Sequence, residues 1–132
     1  MSDPQDAPQS RPPMPNVAFD ADVRRHGDLV IVLVSGELCL YTTPMLSERL
    51  DSLDQGLARL IVDLRRVSFL DSTGIRLLAS LENRAQVQGF DFAIALGEGE
   101  ALRTLKLVGF AERLSRVEGE EVDRVLGEGS GE

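Results

Sequence analysis

Asp63-Leu64-Arg65-Arg66-Val67-Ser68-Phe69-Leu70-Asp71-Ser72-Thr73-Gly74-Ile75 is the stretch on which the reading of this chain turns. Together with the preceding Leu60-Ile61-Val62 it predicts a short buried strand over 60–64, then a short loop, then a turn that opens a helix at Ser72. Asp, Ser and Thr are ordinary N-cap residues, and Gly relaxes a first helical turn. The tetrapeptide Asp71-Ser72-Thr73-Gly74 therefore reads, taken alone, as a helix cap. Its second property is chemical. Two hydroxyls stand where backbone N–H groups are unpaired and the helix dipole is positive, so a phosphate on Ser72 would be accommodated without remodelling the chain.

Working outward, the helix should run from Ser72 to about Val87, with Ile75, Leu78, Ala79 and Glu82 marking a stripe that passes from apolar to polar, and Gly89 should stop it. Upstream, Phe19 to Val23 alternates weakly, Arg25-His26-Gly27-Asp28 supplies a turn, and Leu29 to Val34 is a continuous apolar run; these predict a hairpin leading into a central strand. Ser35 to Tyr41 reads as a loop or short strand extension. Thr43-Pro44 predicts a helix start with Thr43 as N-cap, a leucine face at Leu46, Leu50, Leu53 and Leu57, and an end at Gly56. Downstream, Phe92, Ile94 and Leu96 mark a strand, Glu100 to Val108 a helix closed by Gly109-Phe110, Leu114 to Val117 a last short strand, and Glu118 to Leu126 a helix with acids in its first turn. Strands alternating with helices imply an α/β domain: a mixed, mostly parallel sheet of about five strands with about four helices and right-handed crossovers.

Residues 1–16 carry five of the six prolines and are otherwise small or polar, so they are expected to form a disordered tail ahead of a domain spanning 17–127, with 128–132 a frayed, disordered end. With 132 residues the chain suits one domain, and such a domain buries roughly 65–70 % of its unfolded surface. The formal charge of −8 repels phosphate backbones and anionic lipid, which argues against nucleic-acid and membrane-surface partners. Cys39 is a lone thiol and can form neither an internal disulfide nor a zinc site. No run approaches the roughly 18 apolar residues of a membrane span, and the start lacks the basic and apolar segments of a signal peptide, so a cytoplasmic location is expected. No metal or cofactor is expected.

The extended run resembles the STAS domain, and within it the bacterial anti-sigma factor antagonists. In that family a strand ending in Asp-Leu is followed by an apolar loop and by Asp-Ser-(Ser/Thr)-Gly-(Leu/Ile); Asp63-Leu64, Val67, Leu70 and Asp71 to Ile75 match it. Gly36-Glu37-Leu38 matches the first three places of an earlier Gly-Glu-Leu-Asp motif, and Leu102, Leu105, Gly109 and Phe110 fit a later helix end. The resemblance covers about residues 18–126. It implies a non-enzymatic partner switch: the unmodified protein binds an anti-sigma factor that is also a serine kinase, freeing a sigma factor; the kinase phosphorylates Ser72, with Thr73 a second candidate, and the complex falls apart; a serine phosphatase resets the switch. The docking surface would comprise Asp71, Ser72, Thr73, Gly74 and Ile75 together with Gly36, Glu37 and Cys39. A homodimer stays open. One departure stands out: Cys39 occupies the place of the family's Asp, either as a small buried filler or as a redox-sensitive thiol at the site. That departure favours an alternative in which the domain is an unphosphorylated interaction module of a transporter or sensor complex.

Other chemistry is weakly supported. Asp63 at a strand end is similar in position to the phospho-acceptor of receiver domains, but the acid pair and the Lys those domains need are missing, so Asp63 is expected to accept from amides of residues 65–70. There is no Gly-x-Ser-x-Gly elbow, and His26, the sole histidine, sits in a turn far along the chain from Ser72. Gly97-Glu98-Gly99 is too short and acidic to cradle phosphate, and Glu118, Glu120, Glu121 and Asp123 read as a solvated helix face.

Overall fold

Leu29 to Val34 is apolar at every position, so a strand there must be covered on both faces. A computed structural model of the chain, which describes residues 17–53 and 56–130, has that form. The elements are β1 (Phe19–His26), β2 (Leu29–Leu38), α1 (Thr43–Asp51), β3 (Arg59–Leu70), α2 (Ser72–Gln88), β4 (Asp91–Ala95), α3 (Glu100–Leu107), β5 (Arg116–Val117) and α4 (Gly119–Ser130). The strands form one sheet in the order β1-β2-β3-β4-β5. β1 pairs antiparallel with β2, and the other pairs are parallel. Val30, Val32, Leu60, Val62 and Ile94 join Leu46 and Leu50 of α1, Leu78 and Leu81 of α2 and Leu105 of α3 in the main core. The opposite face is thinner: Ile31, Ile61 and Ala95 meet Val122 of α4, with Leu29, Leu33, Val117, Val125 and Leu126 at its margin.

The largest departure from expectation is β3. A strand of five residues and a loop were predicted; the strand runs the whole way from Arg59 to Leu70. Its pairing with β2 shifts register twice, from Leu33↔Asp63 to Ser35↔Arg66 and from Gly36↔Val67 to Glu37↔Phe69. Each shift places one extra residue in β3, a bulge that breaks the alternation of a strand. Leu64, Val67 and Leu70, three apart, therefore all reach the same core, and a spacing of three does not read as a strand. β2 likewise continues to Leu38 where a loop was an option. Gly36 sits at the second shift with φ 90°, and a Cβ there would meet the Ala18 carbonyl oxygen at 2.1 Å, so β1 closes against β2 only on a glycine.

Smaller corrections follow the same logic. α1 ends at Asp51, short of the predicted Gly56, because Ser52 bonds back to the Arg49 carbonyl (2.8 Å) and competes with the helix. Leu53 and Leu57 pack on the core from outside the helix. Its N-cap is Thr42, not Thr43. The buried face of α2 is Gly74, Leu77, Leu78, Leu81 and Ala85; Ile75 and Ala79 are half-buried, and Glu82 lies at the margin near Arg113. Gly89 caps α2 in the left-handed region, and Gly109-Phe110 closes α3 with Phe110 buried. α4 continues to Ser130, past the point where fraying was expected. The tail assigned to 1–16, and residues 131–132, lie outside the described residues.

Asp63 accepts from the Arg65 amide (3.0 Å), as expected, and also from the Arg65 guanidinium (2.8 Å), which bridges on to Asp123 of α4 (2.8 Å). Those hydrogen bonds, first to Asp63 and then to Asp123, hold Arg65 above its already high ordinary pKa against the opposing effect of burial. The acidic start of α4 is thus not merely solvated: Asp123 and Glu121 reach Arg65 and Arg59 on β3.

Candidate functional site at the start of α2

β3 delivers the chain to Asp71 at the carboxyl end of the parallel strands, where α/β sheets place their sites. Asp71 has extended backbone (φ −108°, ψ −173°) and caps α2. Its Oδ1 accepts from the Thr73 amide (2.9 Å), the Gly74 amide (3.4 Å) and the Thr73 hydroxyl. Its Oδ2 accepts from the Leu40 amide (2.9 Å) in the β2–α1 loop. Burial alone pushes this carboxyl up, but the Thr73 hydroxyl and the amides of Leu40, Thr73 and Gly74 together hold it below its ordinary value, so it is charged at neutral pH.

A second set of bonds secures the same loop. Thr42 is fully buried; its hydroxyl donates to the Glu37 carbonyl (2.6 Å) and accepts from the Cys39 amide (2.9 Å), so although Thr42 holds the N-cap position its side chain makes no cap bond to α1. The Thr43 and Thr73 hydroxyls lie 3.1 Å apart. Because the Thr73 proton goes to Asp71, Thr43 is the donor of that pair. The Thr73 hydroxyl is thereby engaged on both sides. The Ser72 side chain is exposed, and its hydroxyl meets no hydrogen-bond partner among the described residues.

The expected site residues fall into four groups. Asp71, Ser72 and Thr73 cluster at the helix start. Gly74 is buried beneath it, where a Cβ would meet Leu70 Cδ1 at 2.6 Å, and Ile75 is half-buried against the core. Gly36 and Glu37 are half-exposed at the end of β2, and Glu37 holds the Ala18 carbonyl through its amide (2.9 Å). Cys39, expected at the rim, is set inward at 7 % exposure with its sulfur 3.8 Å from the Thr42 hydroxyl; an apolar thiol fills space there that a carboxylate would have to occupy charged.

Sequence reading missed Thr42 and Thr43, whose only signal was proximity to a helix start, and it missed a set of exposed apolar side chains. Leu40 (62 %), Tyr41 (41 %), Met45 (43 %) and Phe69 (45 %) all lie within a few residues of groups that bond Asp71 or Thr73. Exposed apolar side chains of this size are a kind of surface that partners cover. His26 pairs with Leu29 at the opposite end of β2, roughly 30 Å of strand away from Leu38. No histidine base can serve Ser72 from there.

Comparison with known proteins places this geometry. Residues 20–123 match the STAS domain family. The chain is 30 % identical over 99 residues to the anti-sigma-B factor antagonist of Bacillus subtilis (strain 168), covering 75 % of this chain and 79 % of that one. In structure it is similar to an anti-sigma factor antagonist from Mycobacterium paratuberculosis (TM-score 0.71, 24 % identity, 83 % of this chain and 92 % of the other). It is also similar to the phosphorylated form of the Bacillus cell fate determinant SpoIIAA (TM-score 0.60, 18 % identity, 82 % and 99 %). At these identities the two structures speak to the shared α/β fold.

Proposed function

Because the chain belongs to the STAS domain family, we propose that it acts as an anti-sigma factor antagonist whose docking surface is switched by phosphate at Ser72. The observation that carries this reading is that Ser72 holds the free, exposed hydroxyl of the Asp71-Ser72-Thr73 turn while its neighbour's is consumed by the fold. In the unmodified state, the exposed Leu40, Tyr41 and Met45, on the loop and helix start that bond Asp71 and Thr73, offer apolar contact to an anti-sigma factor that is also a serine kinase, so that a sigma factor is freed. In the phosphoryl transfer, the bond from Ser72 Oγ to the γ-phosphorus of ATP forms as the bond to ADP breaks, and the hydroxyl proton passes to a base of the kinase. The product carries about −1.5 to −2 further charges in the middle of that surface. The added desolvation and repulsion of a few kcal/mol dissociate a transient complex. A serine phosphatase restores the hydroxyl.

The test compares Ser72→Ala with Ser72→Asp for binding to the partner anti-sigma kinase. Ser72→Ala should bind as the parent does. Ser72→Asp should bind at least about tenfold more weakly, a difference of about 1.4 kcal/mol. Incubation of the parent with that kinase and ATP should place phosphate on Ser72 by peptide mass spectrometry. Equal affinity of the two variants, or phosphate mapped to Thr73, would overturn the assignment. The other reading, an unphosphorylated module of a transporter or sensor complex, draws on Cys39 standing where the family has an acid, and it requires equal binding.

A further inference from the structure

The exposed row of α2 runs through Ser72, Arg76, Ser80, Asn83 and Val87. Arg76 is four residues beyond Ser72, so their Cβ atoms lie about 5–6 Å apart on one face. Helical side chains lean toward the helix N-terminus, which carries the Arg76 stem over Ser72 rather than away from it. No acid is available to Arg76 on its own helix: positions three and four away in either direction are Ser72, Thr73, Ala79 and Ser80. Among the described residues Arg76 has no ion-pair or hydrogen-bond partner. The nearest carboxylate in sequence, Asp71, already accepts from the amides of Leu40, Thr73 and Gly74 and from the Thr73 hydroxyl. An unpaired cation on a chain of net charge −8 is thus placed one turn from the one hydroxyl of this turn that the fold leaves free.

We propose that Arg76 is the built-in counter-ion of phosphorylated Ser72, pairing with the phosphate through its guanidinium in the modified protein; this rests on Ser72 being the acceptor. Arg fits a phosphate by two parallel N–H···O bonds where Lys offers a point charge. Its effect on the switch is twofold. Before modification, Arg76 presents positive charge on the exposed face of α2 that it shares with Ser72. After modification it is drawn onto the phosphate, so the partner meets the new anion and loses the cation together. Arg76 is a positioning residue: it acts on the phosphate and not on the transfer step.

The experiment installs phosphoserine at position 72 of the full chain by genetic encoding, which needs no kinase, and follows the phosphorus resonance by NMR as a function of pH. A phosphoserine monoester ordinarily loses its second proton near pH 6. With Arg76 paired, that transition should lie about 0.5 pH unit or more lower than in Arg76→Gln, with Arg76→Lys between the two. Asp71 opposes the shift equally in all three proteins, so the difference isolates Arg76. Coincident titrations of the parent and Arg76→Gln would overturn the proposal. The reading of Ser72 as acceptor fails separately, in the kinase reaction, and neither result determines the other.

Discussion

Asp71 is the residue in which folding and the site meet. As an N-cap it was legible in the sequence, since Asp before Ser-Thr-Gly has that meaning anywhere. Its bond to the Leu40 amide was not, because donor and acceptor are 31 residues apart in the chain. The Thr43–Thr73 contact spans 30 residues and was equally out of reach. Replacing the charge tests how much the joint is worth. Asp71→Asn should cost about 1–2 kcal/mol at pH 7, measured by urea unfolding, because Asn keeps a capping oxygen but loses the charge and sets an amide N–H against the Leu40 N–H. The pH dependence follows from the depressed folded pKa. The carboxylate contributes its full stability above the unfolded value, near 3.8, and loses it as the pH falls through the lower folded value. The gap between parent and Asp71→Asn should therefore be constant from pH 7 to about 5 and narrow as the pH falls below the unfolded value. A gap that does not narrow on acidification would show that the charge is not what holds the loop.

Among the elements, β3 shows why a correct motif can be assigned the wrong local structure. Arg65 to Leu70 lacks the alternation of a strand, and only its pairing with the end of β2 through two bulges makes it one. The same strand carries Arg65, which ties the buried Asp63 to α4. Gly119 at the start of α4 lies against that guanidinium: a Cβ there would meet Arg65 Nη1 at 2.5 Å. Removing Arg65 strands Asp63, which is only 5 % exposed. Arg65→Met should cost about 2–3 kcal/mol in urea unfolding at pH 7, less than for a wholly buried pair because water reaches the Arg65 side chain. The double variant Arg65→Met, Asp63→Leu should recover most of that loss. Failure of the double variant to recover it would locate the cost in lost packing rather than in the stranded carboxylate.

In the molecule as a whole, the two faces of the sheet are unequally protected. Three helices cover one face, and α4 covers the other through a small cluster centred on Ile31, Ile61, Ala95 and Val122. No helix among the described residues is long and apolar enough to cross a membrane. The candidate site belongs to the better-protected side of this arrangement, where α1, α2 and the end of β2 converge. Ending the chain after Glu118 should cost about 3–5 kcal/mol, since it removes the burial of Val122 and the partial burial of Val125 and Leu126. It should also cause self-association through the uncovered face, read as a concentration-dependent increase in mass by light scattering. A monomer of unchanged stability would mean that α4 contributes no cover.

The sequence by itself determined the alternation of strands and helices, the apolar residues of the main core, the cap at Asp71 and the family to which the chain belongs. These are properties of short windows, in which period, turn residues and motif spacing act locally. Tertiary structure decided the rest: that residues 65–70 form strand, that Cys39 turns inward, that the Thr42 and Thr43 side chains bind the loop instead of capping α1, and that Ser72 keeps a free hydroxyl while Thr73 does not. Each of those outcomes depends on a partner some distance away in the chain, and only the folded molecule brings the two within hydrogen-bonding or packing distance.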